Sequence, residues 1–416
     1  MSNSKHKILI IGGGTAGITV AAQLKNKDSK LDIAIIEPSE KHYYQPAWTL
    51  VGANTFDFND TVRNEKDLIP EGVKWIKQYA DTIDAANNTV TLRNGDVITY
   101  DYLVPCPGIQ INLDGIEGLK DAIGKGGVCS NYVDPKYTWE VLKNFKGGNA
   151  VFTQPTTPIK CGGAPQKIMY LAADHFDNIG VKDKTNIIFA TPGGVIFGVK
   201  EFAKTLMQVI ARHNIHLKTF YAPVKIDAEK KLVHFKWVSA QENECIINKD
   251  DLNEEHNGES EIIMPYDMLH LAPPQSAPDF IRNSPLANEG GWIDVDINTL
   301  QHKKYSNVFA LGDAAALPTA KTGAAIRKQA PVLVANLMHI MGGKEVSEKY
   351  EGYSSCPLVT GYGKMVLAEF KYNNVRDSDP TISKFVDTTK ENWSMWILKK
   401  YLLPYFYWNK MLKGKG

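Results

Sequence analysis

Residues 8–17, ILIIGGGTAG, decide the fold. Four apolar residues, Ile8 to Ile11, run into Gly12, Gly14 and Gly17, and TVAAQL follows as the start of a helix. The order is buried strand, tight glycine turn, helix. Gly12 permits the turn, Gly14 lets the backbone approach a pyrophosphate, and Gly17 lets helix and strand pack closely, with the helix N-terminus facing the phosphates. A second strand, Leu31 to Ile36, ends in Glu37, twenty residues after Gly17, where an acid is expected to hold the adenosine ribose hydroxyls. Strand, turn, helix, strand and acid in this order predict a dinucleotide-binding unit.

The rest of the chain is large enough to extend that unit. It has 416 residues, 43% hydrophobic and 22% charged, enough for a substantial core in two or three domains. A net charge of +1 gives no reason to expect nucleic acid. The five cysteines, Cys106, Cys129, Cys161, Cys245 and Cys356, include no CxxC pair, which argues against a zinc site or a secreted disulfide framework, and no metal is expected. MSNSKHK runs directly into the first strand without a signal or transit peptide, so residence on the cytoplasmic side is expected.

Along the chain, Val73 to Tyr79 reads as a strand with Ala80 at its end. Asn88–Leu92 and Val97–Tyr100 flank Asn94-Gly95, a hairpin signal. YDYLVPCPG, residues 100–108, is an apolar strand ending in Pro and Gly, and YDMLHLAPP, residues 266–274, echoes it. The echo predicts two related nucleotide-binding-like domains. Between them lie a strand over 150–153, a loop carrying Cys161, a helix over 167–175, a strand over 186–190 and a helix over 199–213. A strand over 215–221, a hairpin over 225–237 and a polar excursion over 241–261 complete this part. The expected class is α/β, with two Rossmann-like domains of FAD/NAD(P)-binding type and a C-terminal membrane-docking segment. The expected domains are an FAD-binding domain over 1–110 and 286–345, a second Rossmann-like domain over 111–285, and a C-terminal region over 346–416.

NVFALGDAA, residues 307–315, supplies the second half of a flavin site: a strand ending in Asp313, whose carboxylate can accept from the ribityl chain, followed by a helix over 323–341 aimed at the flavin. The second unit offers no matching site for NAD. Its turn, TPGGVIFG at 191–198, lacks GxGxxG, and the next strand, HLKTFY, ends without an acid. Cys161 lies on a glycine-rich loop before a helix, which would lower a thiol pKa. Cys356 lies 195 residues further on, and nothing local pairs the two.

PTTPIKCGGAPQKIMYL and YEGYSSCPLVTGYGKMVLAEFKY closely resemble the segments around the two redox cysteines of sulfide:quinone oxidoreductases, in the type II branch shared with mitochondria. The resemblance extends to ALGDAAALPTAKTGAA and the terminal YLLPYFYWNKMLKG. It implies that Cys161 and Cys356 form a disulfide, or a sulfur-bridged pair, over an FAD. Hydrogen sulfide, as hydrosulfide, attacks Cys356, Cys161 leaves as a thiolate, and the electrons pass to a quinone. The sulfur acceptor is sulfite, a small thiol or further sulfide, and a homodimer is an assembly the resemblance allows. The same resemblance carries Thr15 and Ala16 onto the pyrophosphate turn and Gln45 onto the segment after the ribose. It sets the Ala80 backbone at adenine and Lys321 and Gly323 beside the isoalloxazine. Cys129 and Cys245 are expected to be structural, and Cys106 is unassigned.

The tail, residues 391–416, carries five lysines against Glu391, hence +4, with seven aromatic residues. Its longest uncharged run, 401–409, is too short to span a bilayer. Aromatic and basic residues together suit a lipid interface, so a peripheral, monotopic membrane protein on the cytoplasmic face of the cell membrane is expected. Pro404 is expected to divide the tail into two short helices. The competing readings are a type II NADH:quinone oxidoreductase, disfavoured by the missing NAD features, and a non-catalytic redox-sensing flavoprotein. A flavocytochrome sulfide dehydrogenase is disfavoured by the lack of an export signal.

Overall fold

A computed structural model describes residues 3–239, 252–258 and 260–415. Cys245, read as structural, lies outside the described residues, as does much of the polar excursion. The first unit is built on a six-stranded sheet. Its strands are β1 (Asn3–Ile11), β2 (Ile33–Ile36), β3 (Val73–Ile76), β4 (Ala80–Asp84), β5 (Thr89–Leu92) and β6 (Val97–Pro105), in the order β3-β2-β1-β6-β5-β4. β1 is parallel to both β2 and β6, with Ile10 opposite Ile35 and Val104. Helix α1 (Thr15–Lys27) crosses from β1 to β2. Ile8, Leu9 and Ile10 are fully buried, as a parallel strand covered on both faces requires. β5 and β6 form the expected hairpin around Asn94-Gly95, and 97–105 is one long strand.

The second unit holds a five-stranded parallel sheet of β7 (Val128–Cys129), β8 (Gly148–Thr153), β9 (Thr185–Thr191), β10 (His216–Thr219) and a strand over Met268–His270. The Met268–His270 strand lies between β7 and β8. Helices α2 (Ala164–Asn178) and α3 (Lys200–His213) make the crossovers β8–β9 and β9–β10. The two echoed segments meet: just beyond them, Ile111 pairs with Gln275 and Gln110 with Ser276.

Three expectations need correction. The segment 307–311 is no regular strand. Its ladder to β6 is one bridge, Leu103 to Val308, although Val308 to Leu311 are fully buried. Burial of an apolar run marks the core without requiring a ladder. The strand expected over 73–79 stops at Ile76, so Ala80 begins β4 instead of ending a strand. Pro404 does not divide the tail. Helix Trp393–Ile397 passes through a π turn, Leu398–Leu402, into Leu403–Asn409. Proline lacks an N–H and its ring crowds the carbonyl four residues back, that of Lys400, and the wider turn gives that carbonyl room. Helix α4 (Gly323–Met341) has the predicted bounds, and Thr322 caps it by accepting from the Ala325 N–H.

Candidate active site

The glycine turn binds the first unit together at its phosphate end. Gly12 has φ +104, and a Cβ there would lie 2.6 Å from the Cys106 carbonyl oxygen. A Cβ at Gly17 would lie 1.9 Å from the Gly12 oxygen, so only glycine lets α1 pack this close. Gly14 is the N-cap of α1 with no side-chain cap, and a Cβ there would meet nothing within 4 Å. Open space over an uncapped helix N-terminus suits a pyrophosphate. Thr15 opens the helix and Ala16 is buried behind it. Glu37 accepts from the Gly13 N–H at 2.8 Å and the Ser39 N–H at 2.7 Å, which fixes its carboxylate at the end of β2.

The flavin end is equally open. Asp313 follows the buried 308–311 run, and its carboxylate accepts no hydrogen bond from the described residues. Burial raises its pKa, against the pull of Lys321 and Lys160. Lys321 donates to the carbonyls of Asp313 (2.6 Å) and Ala315 (3.2 Å), and its Nζ lies 4.0 Å from the Trp292 ring centre. Burial lowers its pKa to about 8. A Cβ at Gly323, the first residue of α4, would meet nothing within 4 Å. Gln45 is exposed and accepts from Lys160, the residue before Cys161. Ala80 is buried at the start of β4. An unpaired carboxylate, the uncapped N-terminus of α1 and the clear space at Gly323 are what a flavin dinucleotide would complete, so the residues fit that cofactor.

The two cysteines meet beside this cleft. Cys161 stands at φ +52, pinned by its N–H to the Lys321 carbonyl at 2.7 Å and by its own carbonyl to the Ala164 N–H at 2.7 Å. Cys356 is buried on the strand Ser354–Gly361, which pairs antiparallel with Lys364–Lys371. The sulfurs are 3.8 Å apart. Lys167, in the first turns of α2 and 2% exposed, donates to Cys161 Sγ at 2.9 Å. The Cys356 thiol, hydrogen-bonded to Cys161, and the Lys167 ammonium hold the Cys161 pKa well below the thiol range despite burial. The same contact and burial hold Cys356 well above it. Burial opposes the charge on Lys167, and the two sulfurs more than offset this. Cys161 is therefore the thiolate and Cys356 the thiol.

A second buried lysine comes from the tail. Lys399 is 3% exposed, and its Nζ donates to the Pro46 carbonyl at 2.8 Å. Burial and Lys167 lower its pKa to about 7, against the attraction of Cys161 and Cys356. Sequence reasoning missed both lysines, because lysine is mostly exposed. Only the position of Lys167 six residues after Cys161, at the start of a helix, could have signalled it. Cys106 is buried beside Gly12, its Sγ 3.9 Å from that carbonyl, and Cys129 is buried in the second unit.

In the turn after β9, Phe220 packs against Gly194, where a Cβ would lie 2.6 Å from its ring. A cavity of about 660 Å³ opens beside the Cys161 loop, lined in part by Pro158, Phe197, Trp292, Lys321 and Phe370.

The pyridine nucleotide-disulphide oxidoreductase family model matches residues 6–141. Over 415 residues the chain is 40% identical to the mitochondrial sulfide:quinone oxidoreductase of Mus musculus, covering 99% of this chain and 88% of that protein. It is 42% identical over 415 residues to the same enzyme of Dictyostelium discoideum, covering 98% and 86%. The solved sulfide:quinone oxidoreductase of Aquifex aeolicus superposes with a TM-score of 0.77 at 19% identity, over 99% of this chain and 92% of that one, which is a likeness of fold.

Proposed function

Because the chain belongs to the sulfide:quinone oxidoreductase family, we propose that it oxidises hydrosulfide at Cys161 and Cys356 and passes two electrons through FAD to a quinone. The observation that carries this reading is the buried pair of sulfurs 3.8 Å apart with an ammonium 2.9 Å from one of them. In the oxidised pair, hydrosulfide attacks Cys356 Sγ, the S–S bond breaks, and Cys161 leaves as a thiolate. Lys167 stabilises that leaving group and so favours attack at Cys356. The outer sulfur of the Cys356 persulfide passes to an acceptor, and Cys356 becomes a thiolate. Re-forming the disulfide releases two electrons. Bound FAD supplies the two-electron acceptor between this pair and the quinone.

Residues Gly12, Gly14, Thr15, Ala16 and Gly17 serve the pyrophosphate, Glu37 and Ala80 the adenosine, and Asp313, Lys321 and Gly323 the flavin end. Gln45 acts through Lys160. The cavity beside Pro158 and Lys321 receives the acceptor, which is sulfite, a small thiol or sulfide.

The protein works at a membrane surface. No helix among the described residues is long and apolar enough to cross a membrane. Trp393 (69% exposed), Tyr401, Leu402, Tyr405 and Phe406 face outward, with Lys410, Lys413 and Lys415 exposed nearby. Such a face suits the lipid interface, where quinone resides. The whole-chain relatives above bear mitochondrial names, whereas the sequence reading favoured the cytoplasmic face of a cell membrane. What supports docking is common to both, a quinone-bearing surface.

Cys161→Ser and Cys356→Ser test the reading. Each is expected to keep bound FAD and to lose sulfide-dependent quinone reduction, measured under anaerobic conditions. Cys161→Ser is also expected to lose any long-wavelength charge-transfer absorbance. Near-normal turnover in either variant refutes the mechanism.

A further inference from the structure

The tail does more than present aromatic rings outward. Leu403–Asn409 exposes Tyr405 and Phe406 on one side and buries Tyr407 on the other. The Tyr407 hydroxyl meets Thr15 Oγ1 at 2.8 Å and His42 Nε2 at 2.6 Å. His42 Nδ1 lies 3.2 Å from both the Gly13 carbonyl and the buried Glu65 carboxylate. The ring of Tyr407 packs on Tyr44, centres 4.7 Å apart. Further on, Met411 and Leu412 enter the core of the first unit, and Asn26, near the end of α1, donates to the Lys413 carbonyl at 3.0 Å. The tail therefore runs along α1 and is fastened to both ends of it.

We propose that residues 403–413 are a strap that holds the dinucleotide turn in its binding shape, with Tyr407 as the positioning residue, so that FAD retention and seating of the tail are linked. Tyr407 engages the Thr15 side chain and, through His42, the Gly13 carbonyl. It leaves the backbone N–H groups at the start of α1 directed at the pyrophosphate. Linkage is reciprocal: if the seated strap favours FAD, bound FAD favours the seated strap by the same factor. The inference rests on reading residues 12–17 as the FAD pyrophosphate site.

The test uses the purified full-length holoenzyme. FAD release is followed by the rise in free-flavin fluorescence after dilution. Tyr407→Phe is expected to release FAD roughly tenfold faster, the scale of losing one hydrogen bond between buried groups. Tyr405→Phe, on the exposed side of the same helix, is expected to match wild type. In the wild-type chain, trypsin is expected to cut at the exposed Lys410 and Lys413 faster after FAD is stripped than before, a readout that needs no variant to fold. A hydroxyl with a merely structural role would lower the unfolding midpoints of stripped and loaded Tyr407→Phe alike, whereas the strap predicts the larger loss in the loaded protein. Unchanged FAD release in Tyr407→Phe, or tryptic rates independent of FAD, overturns the strap. A wild-type protein that binds no FAD at all overturns the underlying reading and the strap with it.

Discussion

Lys399→Met should stabilise this protein below neutral pH. The Lys399 ammonium is buried at 3% exposure with one hydrogen bond, to the Pro46 carbonyl. Burial moves its pKa from near 10.5 in an ordinary lysine to about 7, with Lys167 adding to the shift and the cysteine sulfurs opposing it. The unfolded chain keeps this proton up to about pH 10.5, while the folded chain releases it near pH 7. Between those values the unfolded state binds more protons, so stability rises with pH, and below pH 7 the full cost is present. The interval corresponds to on the order of 5 kcal/mol. Methionine fills a similar volume without a charge. The measurement is urea or thermal unfolding of wild type and variant from pH 6 to pH 10, taken as a difference so that other titrations cancel. The variant is expected to lead at pH 6 by several kcal/mol, and the lead should shrink steadily towards pH 10. A difference that stays constant across the range refutes the reasoning, because it would mean that the buried amine carries no proton-linked cost.

NADH and NADPH are expected to bleach the flavin far more slowly than sulfide does, since the turn at 191–198 lacks GxGxxG and the next strand ends without an acid. Fast bleaching by micromolar NADH, followed by stopped-flow absorbance, would contradict this. Gly163→Ala would set a Cβ 2.6 Å from Cys356 Sγ and 2.5 Å from Leu358 Cδ2. It is expected to cost about 1–3 kcal/mol and to suppress sulfide turnover while flavin content, measured by absorbance, is kept. Replacing the exposed Trp393 and Phe406 together with serine is expected to weaken co-sedimentation with anionic liposomes at least about tenfold, from the loss of buried ring area. Reduction of a short, soluble quinone should persist, and undiminished co-sedimentation would place docking elsewhere.

The elements of this fold were legible where a local rule acts alone. Gly12, Gly14 and Gly17 announced β1, the turn and α1, and Asn94-Gly95 announced the hairpin. The helix read over 323–341 has those bounds as α4. Legibility failed where one residue answers to distant partners. Residues 307–311 read as a strand because they are apolar, yet what buries them is packing, with one bridge to Leu103. Pro404 read as a break because the rule for proline ignores a π turn. The site divided in the same way. Cys161 and Cys356 were found through the pattern around each, whereas Lys167 and Lys399 carry no local mark of burial. Tyr407 lies 392 residues from Thr15, and nothing in the spacing of an aromatic tail singles out the ring that turns inward. The tail was read as an addition to the fold, and its place in the core explains why cutting it away is a poor test of docking.

The order in which the parts of the site arise along the chain also has a consequence in time. Cys161 and Lys167 lie in the middle of the polypeptide, Cys356 follows 195 residues later, and Lys399 and Tyr407 are near the end. At ribosomal rates of 5–20 residues per second, Cys161 is made about 10–40 s before its partner. Throughout that interval the nascent chain holds Cys161 and Lys167 without Cys356. The closing lysine and the fastening tyrosine come only as synthesis finishes. A half-made chain therefore lacks the Cys161–Cys356 pair, and the reaction at that pair becomes available only as synthesis finishes.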